Sequence, residues 1–203
     1  CGIAGFQGSG SITDLERMIG RIAYRGPDRQ STMSHRGVGF AHARLSIIDL
    51  SSAADQPMVS RSGDTSIVFN GEIYNFRELR AELTSEFGDE FDTDGDTEVI
   101  LRLYERYGVD MLRRLNGMFA LVLHDRRRDE LVLARDRMGK KPLHYSVTPA
   151  AFVFGSELKA VTAHPAVTTD LDLDALNEYL TCEYVPAPRS IIAGIRKLRP
   201  GHV

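Results

Sequence analysis

Cysteine is scarce: only Cys1 and Cys182 occur in 203 residues. Two cysteines cannot build the disulfide framework of a small secreted domain, so a reducing, cytoplasmic setting is expected. No apolar run approaches the ~20 residues of a membrane-spanning helix, which argues against a membrane partner. The opening stretch, Cys1 to Gly10, has neither a basic leader nor a long apolar segment and does not read as a secretory signal. An excess of one charge is also missing, with 25 basic and 28 acidic residues and a net charge of −3. No global basic field is available to recruit nucleic acid. The local run Arg126-Arg127-Arg128 is followed by Asp129-Glu130 and reads as a solvated hairpin tip. There is no HExxH and no CxxC, so zinc has no support, and the six histidines lack ligand spacing. His35, His42 and His124 are expected to pack or to be solvated. No GxxxxGK[ST] phosphate loop and no GxSxG elbow occur. Tryptophan is absent as well, which decides nothing.

What is present is an ordinary globular composition, 42% hydrophobic and 26% charged, on a chain long enough for one substantial core or two small ones. Gly2 to Gln7 reads as a short buried strand. Leu15, Met18, Ile19 and Ile22 share one helical face over 14–23, with Thr13 or Asp14 as the cap. Arg25-Gly26-Pro27-Asp28 turns the chain. Val38 to Asp49 alternates like a strand, and Ser66 to Phe69 is another, running into Asn70-Gly71. Helices are expected over 76–84 and 96–107, the latter from Val99, Ile100, Leu103 and Tyr107. Four strands, 118–123, 131–134, 142–147 and 152–154, read as an antiparallel meander. Short helices over 156–163 and 174–180 precede a proline-punctuated tail that reads as a connector. Helices with mostly antiparallel strands, and no βαβ alternation, give the fold class α+β with two sheets.

Several residues carry chemistry. If the mature chain begins at Cys1, one residue supplies both a thiol nucleophile and an α-amine. Such an amine has an ordinary pKa of roughly 7.7–8.0 and can act as base near neutral pH, whereas a lysine at roughly 10.4 cannot. On position alone, an arbitrary fragment boundary is an equal alternative. Asn70-Gly71 after an apolar strand can offer an amide side chain and a backbone N–H to one oxyanion, or can be a plain hairpin turn. Arg44 can clamp a carboxylate in a two-pronged geometry, or form a surface salt bridge. Glu72 and Asp96 can hold an ammonium group, although Asp96 can equally be the N-cap of its helix. Cys182, near a helix end, reads as a free structural cysteine.

In combination these residues resemble a known family. The segments Cys1-Gly2-Ile3-Ala4-Gly5-Phe6, Arg25-Gly26-Pro27-Asp28, Arg44 to Leu50, Gln56-Pro57-Met58 and Asn70-Gly71-Glu72-Ile73-Tyr74-Asn75 come first. Gly95 to Ile100, Asn116 to Ala120, Arg135 to Leu143 and Ser156 to Ala160 follow in family order. The chain resembles the N-terminal glutaminase domain of glutamine-dependent asparagine synthetases, within the class II, N-terminal-nucleophile glutamine amidotransferases. The resemblance implies a four-layer αββα sandwich with glutamine as substrate. It implies Cys1 as nucleophile through a γ-glutamyl thioester, and Asn70 with the Gly71 N–H as oxyanion donors. It further implies Arg44 on the substrate α-carboxylate, Asp96 with Glu72 on the α-ammonium, and backbone around Leu45, Ile47 and Ile48 lining the pocket. No cofactor is implied for this domain. ATP and Mg belong to the family's synthetase domain, whose SGGxDS loop does not occur here. The expected organisation is therefore an amidotransferase domain over 1–185 and a connector over 186–203 toward a synthetase domain or subunit. Assembly into homo-oligomers is compatible with the sequence. Alternatives are the same chemistry serving a sugar or another carboxylate, or a glutamine-binding scaffold nearly silent without its partner domain.

Overall fold

The computed structural model describes residues 1–203 and contains two antiparallel sheets with helices outside each. The first sheet has six strands in the order β10-β8-β9-β1-β3-β2. These are β1 (Gly2–Gly8), β2 (Arg29–His35), β3 (Val38–Arg44), β8 (His144–Val147), β9 (Ala151–Gly155) and β10 (Ile195–Lys197). The second has four strands in the order β4-β5-β6-β7, namely β4 (Met58–Val59), β5 (Thr65–Ile73), β6 (Gly117–Asp125) and β7 (Glu130–Arg135). Five α-helices, α1 (Ile12–Gly20), α2 (Phe76–Phe87), α3 (Asp96–Tyr107), α4 (Leu158–Val161) and α5 (Leu173–Cys182), are accompanied by three short 3-10 helices at Ala23–Arg25, Ser52–Ala54 and Gly108–Arg113.

The two-residue side-chain period of the strands builds the layers. On β5, Ile67, Phe69 and Ile73 face Leu79 and Leu83 of α2 and Val99, Ile100 and Leu103 of α3. The alternate residue Val68 faces the other sheet, where it meets Ile3, Phe40 and Phe154. On β1 and β3, Ala4, Phe6, Ala41 and Ala43 turn outward against Leu15, Met18 and Ile19 of α1 and Ala160 and Val161 of α4. Three apolar interfaces between four layers make the expected αββα sandwich. Two functional consequences follow from the same alternation. Cys1 falls on the Ile3 face of β1, and Asn70 on the Val68 face of β5, so both point into the space between the sheets.

Some local expectations are corrected. The 118–154 meander is split: β6 and β7 close the second sheet, while β8 and β9 belong to the first. The crossing segment is organised by Asp136, whose carboxylate accepts from the N–H groups of Phe119, Met138, Lys140 and Lys141. Those bonds outweigh burial and hold Asp136 below the usual carboxylate range. Helix α1 is capped by Ser11, not Thr13 or Asp14; Ser11 and Asp14 exchange side-chain and backbone bonds in a capping box. Strand β3 ends at Arg44, and 45–51 leaves the sheet as a loop. The tail contributes β10, and Leu198 N–H donates to the Leu143 carbonyl at 2.9 Å. The basic run at 126–128 does sit in the β6–β7 turn, with Asp125 accepting from the Arg127 and Arg128 N–H groups. Cys182 is free and exposed at the end of α5, so it plays no part in a core. No helix is long and apolar enough to cross a membrane.

Candidate active site

Cys1 lies at the start of β1, beside the end of β3, because Gly2 pairs with Ala43 in the register. Its Sγ accepts from the Leu45 N–H at 3.4 Å, and the thiol reaches the Leu45 carbonyl at 3.6 Å. The Arg25 Nε donates to the Cys1 carbonyl at 2.9 Å, while its Nη1 pairs with Glu157 at 2.8 Å. That anchor depends on a tight turn. A Cβ at Gly26 would lie 2.2 Å from the Ala43 carbonyl, so only glycine lets the 25–28 turn sit against β3. Asp28 then ties the turn to the next loop by accepting from the Ser46 N–H at 2.7 Å. With Cys1 as first residue, its α-amine is lowered to about 6, by burial first and then by the Arg25 and Lys141 cations, against the opposing charge of Asp28. Lys141 is delivered by the Asp136 turn. An amine so perturbed is mostly free base at neutral pH.

The opposite wall is β5. Asn70 is 2% exposed, and its Nδ2 is buried without a partner. The Asn70-Gly71 pair is not a hairpin turn. It lies inside a nine-residue strand, with Gly71 opposite Phe119 of β6. Phe119 exchanges bonds with Asp136, away from β5, so Gly71 sits in a non-bonded pair and its own N–H points away from β6. Along that same edge the Phe69 N–H donates to Gln56 Oε1 at 2.6 Å and the Ile73 N–H to Asp96 Oδ2 at 2.9 Å. The Gly71 N–H lies between them, directed at the cleft. A Cβ at Gly71 would lie 2.3 Å from the Met118 carbonyl, which excludes any other residue there.

Charged groups occupy the rest of the cleft. Arg44 is not a surface ion pair; it is 8% exposed, bonded to Asp55 at 2.7 Å and to the carbonyls of Ser51 and Asp49. Those contacts fix the guanidinium on the cleft wall. Asp96 is not an N-cap either. Gly95 holds that position, and the Asp96 carboxylate turns to the Ile73 N–H. Burial raises Asp96 to about 6, with the Glu72 charge adding to the rise and the backbone N–H bonds opposing it. Such a carboxylate gains from a cation placed beside it.

One cleft is lined by Cys1, Arg44, Leu45, Ile47, Ile48, Asn70, Gly71, Glu72 and Asp96, which are all the candidates named from the sequence. His42, Gln56 and Lys141 also line it. These three, with Arg25 and Asp28, are the residues that sequence reasoning did not place. Arg25, Asp28, Gln56 and Lys141 fall in segments that the resemblance already marked, which was the available signal; His42, expected only to pack or to be solvated, had none. No group of three His, Cys, Asp or Glu side chains is disposed to hold a metal.

Residues 1–203 match the family model described as a glutamine amidotransferase domain. The chain belongs to that family. Among curated proteins, it is 37% identical over 190 residues to asparagine synthetase [glutamine-hydrolyzing] 3 of Bacillus subtilis, covering 93% of this chain and 31% of that protein. To asparagine synthetase [glutamine-hydrolyzing] 1 of the same organism it is 37% identical over 187 residues, covering 92% and 29%. This amidotransferase domain thus spans about three tenths of the length of these relatives. Among solved structures, the glutamine phosphoribosylpyrophosphate amidotransferase of B. subtilis superposes with a TM-score of 0.69 at 20% identity. That match covers 85% of this chain and 45% of the other, and the likeness is one of fold.

Proposed function

We propose that this amidotransferase domain hydrolyses the side-chain amide of glutamine through a thioester on Cys1. The observation that carries the reading is the facing pair of walls. A thiol with its own low-pKa amine lies on one sheet, and an unpartnered Asn70 Nδ2 with a free Gly71 N–H lies on the other. The Cys1 sulfur attacks the glutamine Cδ as the α-amine takes the thiol proton. Asn70 and Gly71 donate to the oxyanion that forms. The amine returns its proton to the departing nitrogen, which leaves as ammonia and gives the γ-glutamyl thioester. Water then attacks, the amine takes a proton from it, and glutamate leaves as the thiol is restored. Arg44 holds the substrate α-carboxylate, Asp96 with Glu72 the α-ammonium, and the backbone of Leu45, Ile47 and Ile48 the body of the chain.

The ammonia is proposed to serve an ATP-dependent synthetase domain or subunit making asparagine, with residues 186–203 as the connector and ATP and Mg acting only there. The identity to two glutamine-hydrolysing asparagine synthetases supports that acceptor. The setting is proposed to be cytoplasmic.

Steady-state glutamate release from glutamine tests the reading, and its pH dependence tests the assigned groups. The amine must be free base, and its pKa of about 6 means that this form is lost as pH falls through that value. Asp96 must be ionised to hold an ammonium, and its pKa of about 6 removes the carboxylate over the same range. Both losses have the same sign. The logarithm of kcat/KM should therefore drop below about pH 6 with a slope near two, reduced to near one in Asp96→Asn. A profile that stays flat down to about pH 5 contradicts both assignments.

A further inference from the structure

The nucleophile and the oxyanion donors lie on different sheets, so their separation depends on whatever fixes one sheet against the other at the cleft. Apolar packing does this deeper in the molecule, through Ile3, Phe40, Val68 and Phe154. At the cleft end the interface becomes polar, and the side chains following Phe40 on the same face of β3 are His42 and Arg44. The imidazole of His42 crosses to β5 and its Nε2 lies 3.2 Å from the carbonyl oxygen of Phe69, the residue before Asn70. It is the single hydrogen bond that joins a strand of one sheet to a strand of the other. A carbonyl only accepts, so Nε2 carries the proton and Nδ1 is left as an unprotonated lone pair, buried with no partner. The ring is 1% exposed and lines the same cleft as Cys1 and Asn70.

We infer that His42 is a positioning residue that clamps β3 to β5 and thereby sets the distance between Cys1 and the Asn70–Gly71 oxyanion donors. The inference rests on the glutaminase reading above and deepens it. The covalent route is short. His42 pairs with Ile3 in the β1–β3 register, two residues from the nucleophile, and its acceptor is one peptide from Asn70. The ring is not the general base. Burial and the neighbouring Cys1 amine lower its pKa to about 3, against the bond to Phe69, so it stays neutral throughout the working range. The Phe69 N–H is held on the same edge by Gln56, so both backbone groups of Phe69 are bonded and both bonds leave the β5–β6 ladder. Releasing the carbonyl end frees the strand to shift by fractions of an ångström at the donors.

The test compares His42→Leu, which removes the donor, with His42→Gln, whose amide N–H can occupy the Nε2 position. His42→Leu should lower kcat for glutamate release by about 10²-fold, the cost of a small misplacement of reacting groups, with KM changed less than about twofold. The alkylation rate of the Cys1 thiol should be unchanged, because the nucleophile itself is untouched. His42→Gln should recover most of the lost kcat and keep the wild-type pH profile. In an Asn70→Ala background His42→Leu should cost less than about threefold, because both changes act on one donor set. Wild-type kcat in His42→Leu, no rescue by His42→Gln, or fully additive losses with Asn70→Ala would each overturn the clamp. Should His42→Leu fail to fold, the His42→Gln and Asn70→Ala comparison still decides, since a Gln variant with a shifted pH limb or an uncoupled loss contradicts the role. Cys1→Ala is the separate control: activity surviving it sinks the glutaminase reading, whereas a dead Cys1→Ala beside a fully active His42→Leu sinks only the clamp.

Discussion

Replacing Cys1 by alanine is expected to lower glutamate release by at least about 10⁴-fold, the scale seen when a hydrolase loses its nucleophile. No second thiol is within reach, because Cys182 is exposed at the far end of α5 and does not line the cleft. No alternative base–nucleophile pair lines it either. The nearby imidazole, His42, is committed through Nε2 to Phe69 and is held neutral. The groups assigned to the substrate's two ends, Arg44, Glu72 and Asp96, are fixed by their own partners or by the strand and helix that carry them, so Cys1→Ala should still bind glutamine. Equilibrium binding of radiolabelled glutamine alongside the steady-state assay separates the two effects. Wild-type turnover in the variant would remove Cys1 from the mechanism.

Asn70→Ala is expected to reduce kcat by about 10²–10³-fold with a much smaller change in KM. The Asn70 Nδ2 is buried and unpartnered, a cost normally avoided in a folded protein. An oxyanion that forms only during the reaction removes that cost at the moment of bond making, so the effect belongs in kcat and not in ground-state binding. Single-turnover acylation is the direct readout. If Asn70→Ala acylates at the wild-type rate, the Gly71 N–H alone suffices and the side chain has another role.

How much of this could be read from the sequence depended on whether a feature was local. Helix α3 was bounded correctly at Asp96 and Tyr107 because Val99, Ile100, Leu103 and Tyr107 keep helical spacing between Gly95 and Gly108. Strand β2 was not found. Its residues, Arg29 to His35, carry almost no apolar period, and it survives as an edge strand through pairing with β3 alone. Asn70-Gly71 has the composition of a tight turn, yet the register with β6 runs straight through it, and nothing in the dipeptide foretells that pairing. The split of the meander is also nonlocal. At the crossing, Asp136 gathers three N–H groups of its own turn and one from distant Phe119; the resemblance marked this segment, but nothing in its pattern foretells the change of sheet. In the site, Cys1, Asn70-Gly71, Glu72 and Asp96 were singled out in combination, by the resemblance, and not by any one segment's own pattern. The supporting residues were not. Arg25 matters because it reaches Cys1 and Glu157, which is 132 positions away, and His42 because its ring spans two sheets. Both roles exist only once the layers are assembled.

The central claim is that one residue, Cys1, is the thiol that glutamine's carboxamide carbon meets, and labelling reports on it directly. The protein carries a built-in comparator, since Cys182 is free and more exposed than Cys1. A glutamine-shaped electrophile, with the carboxamide replaced by a diazoketone, is incubated with the protein and the adduct is mapped by peptide mass. The account predicts a single adduct on Cys1, prevented by excess glutamine, with Cys182 unmodified. Labelling of Cys182 in preference, or labelling of Cys1 that glutamine does not slow, would contradict it.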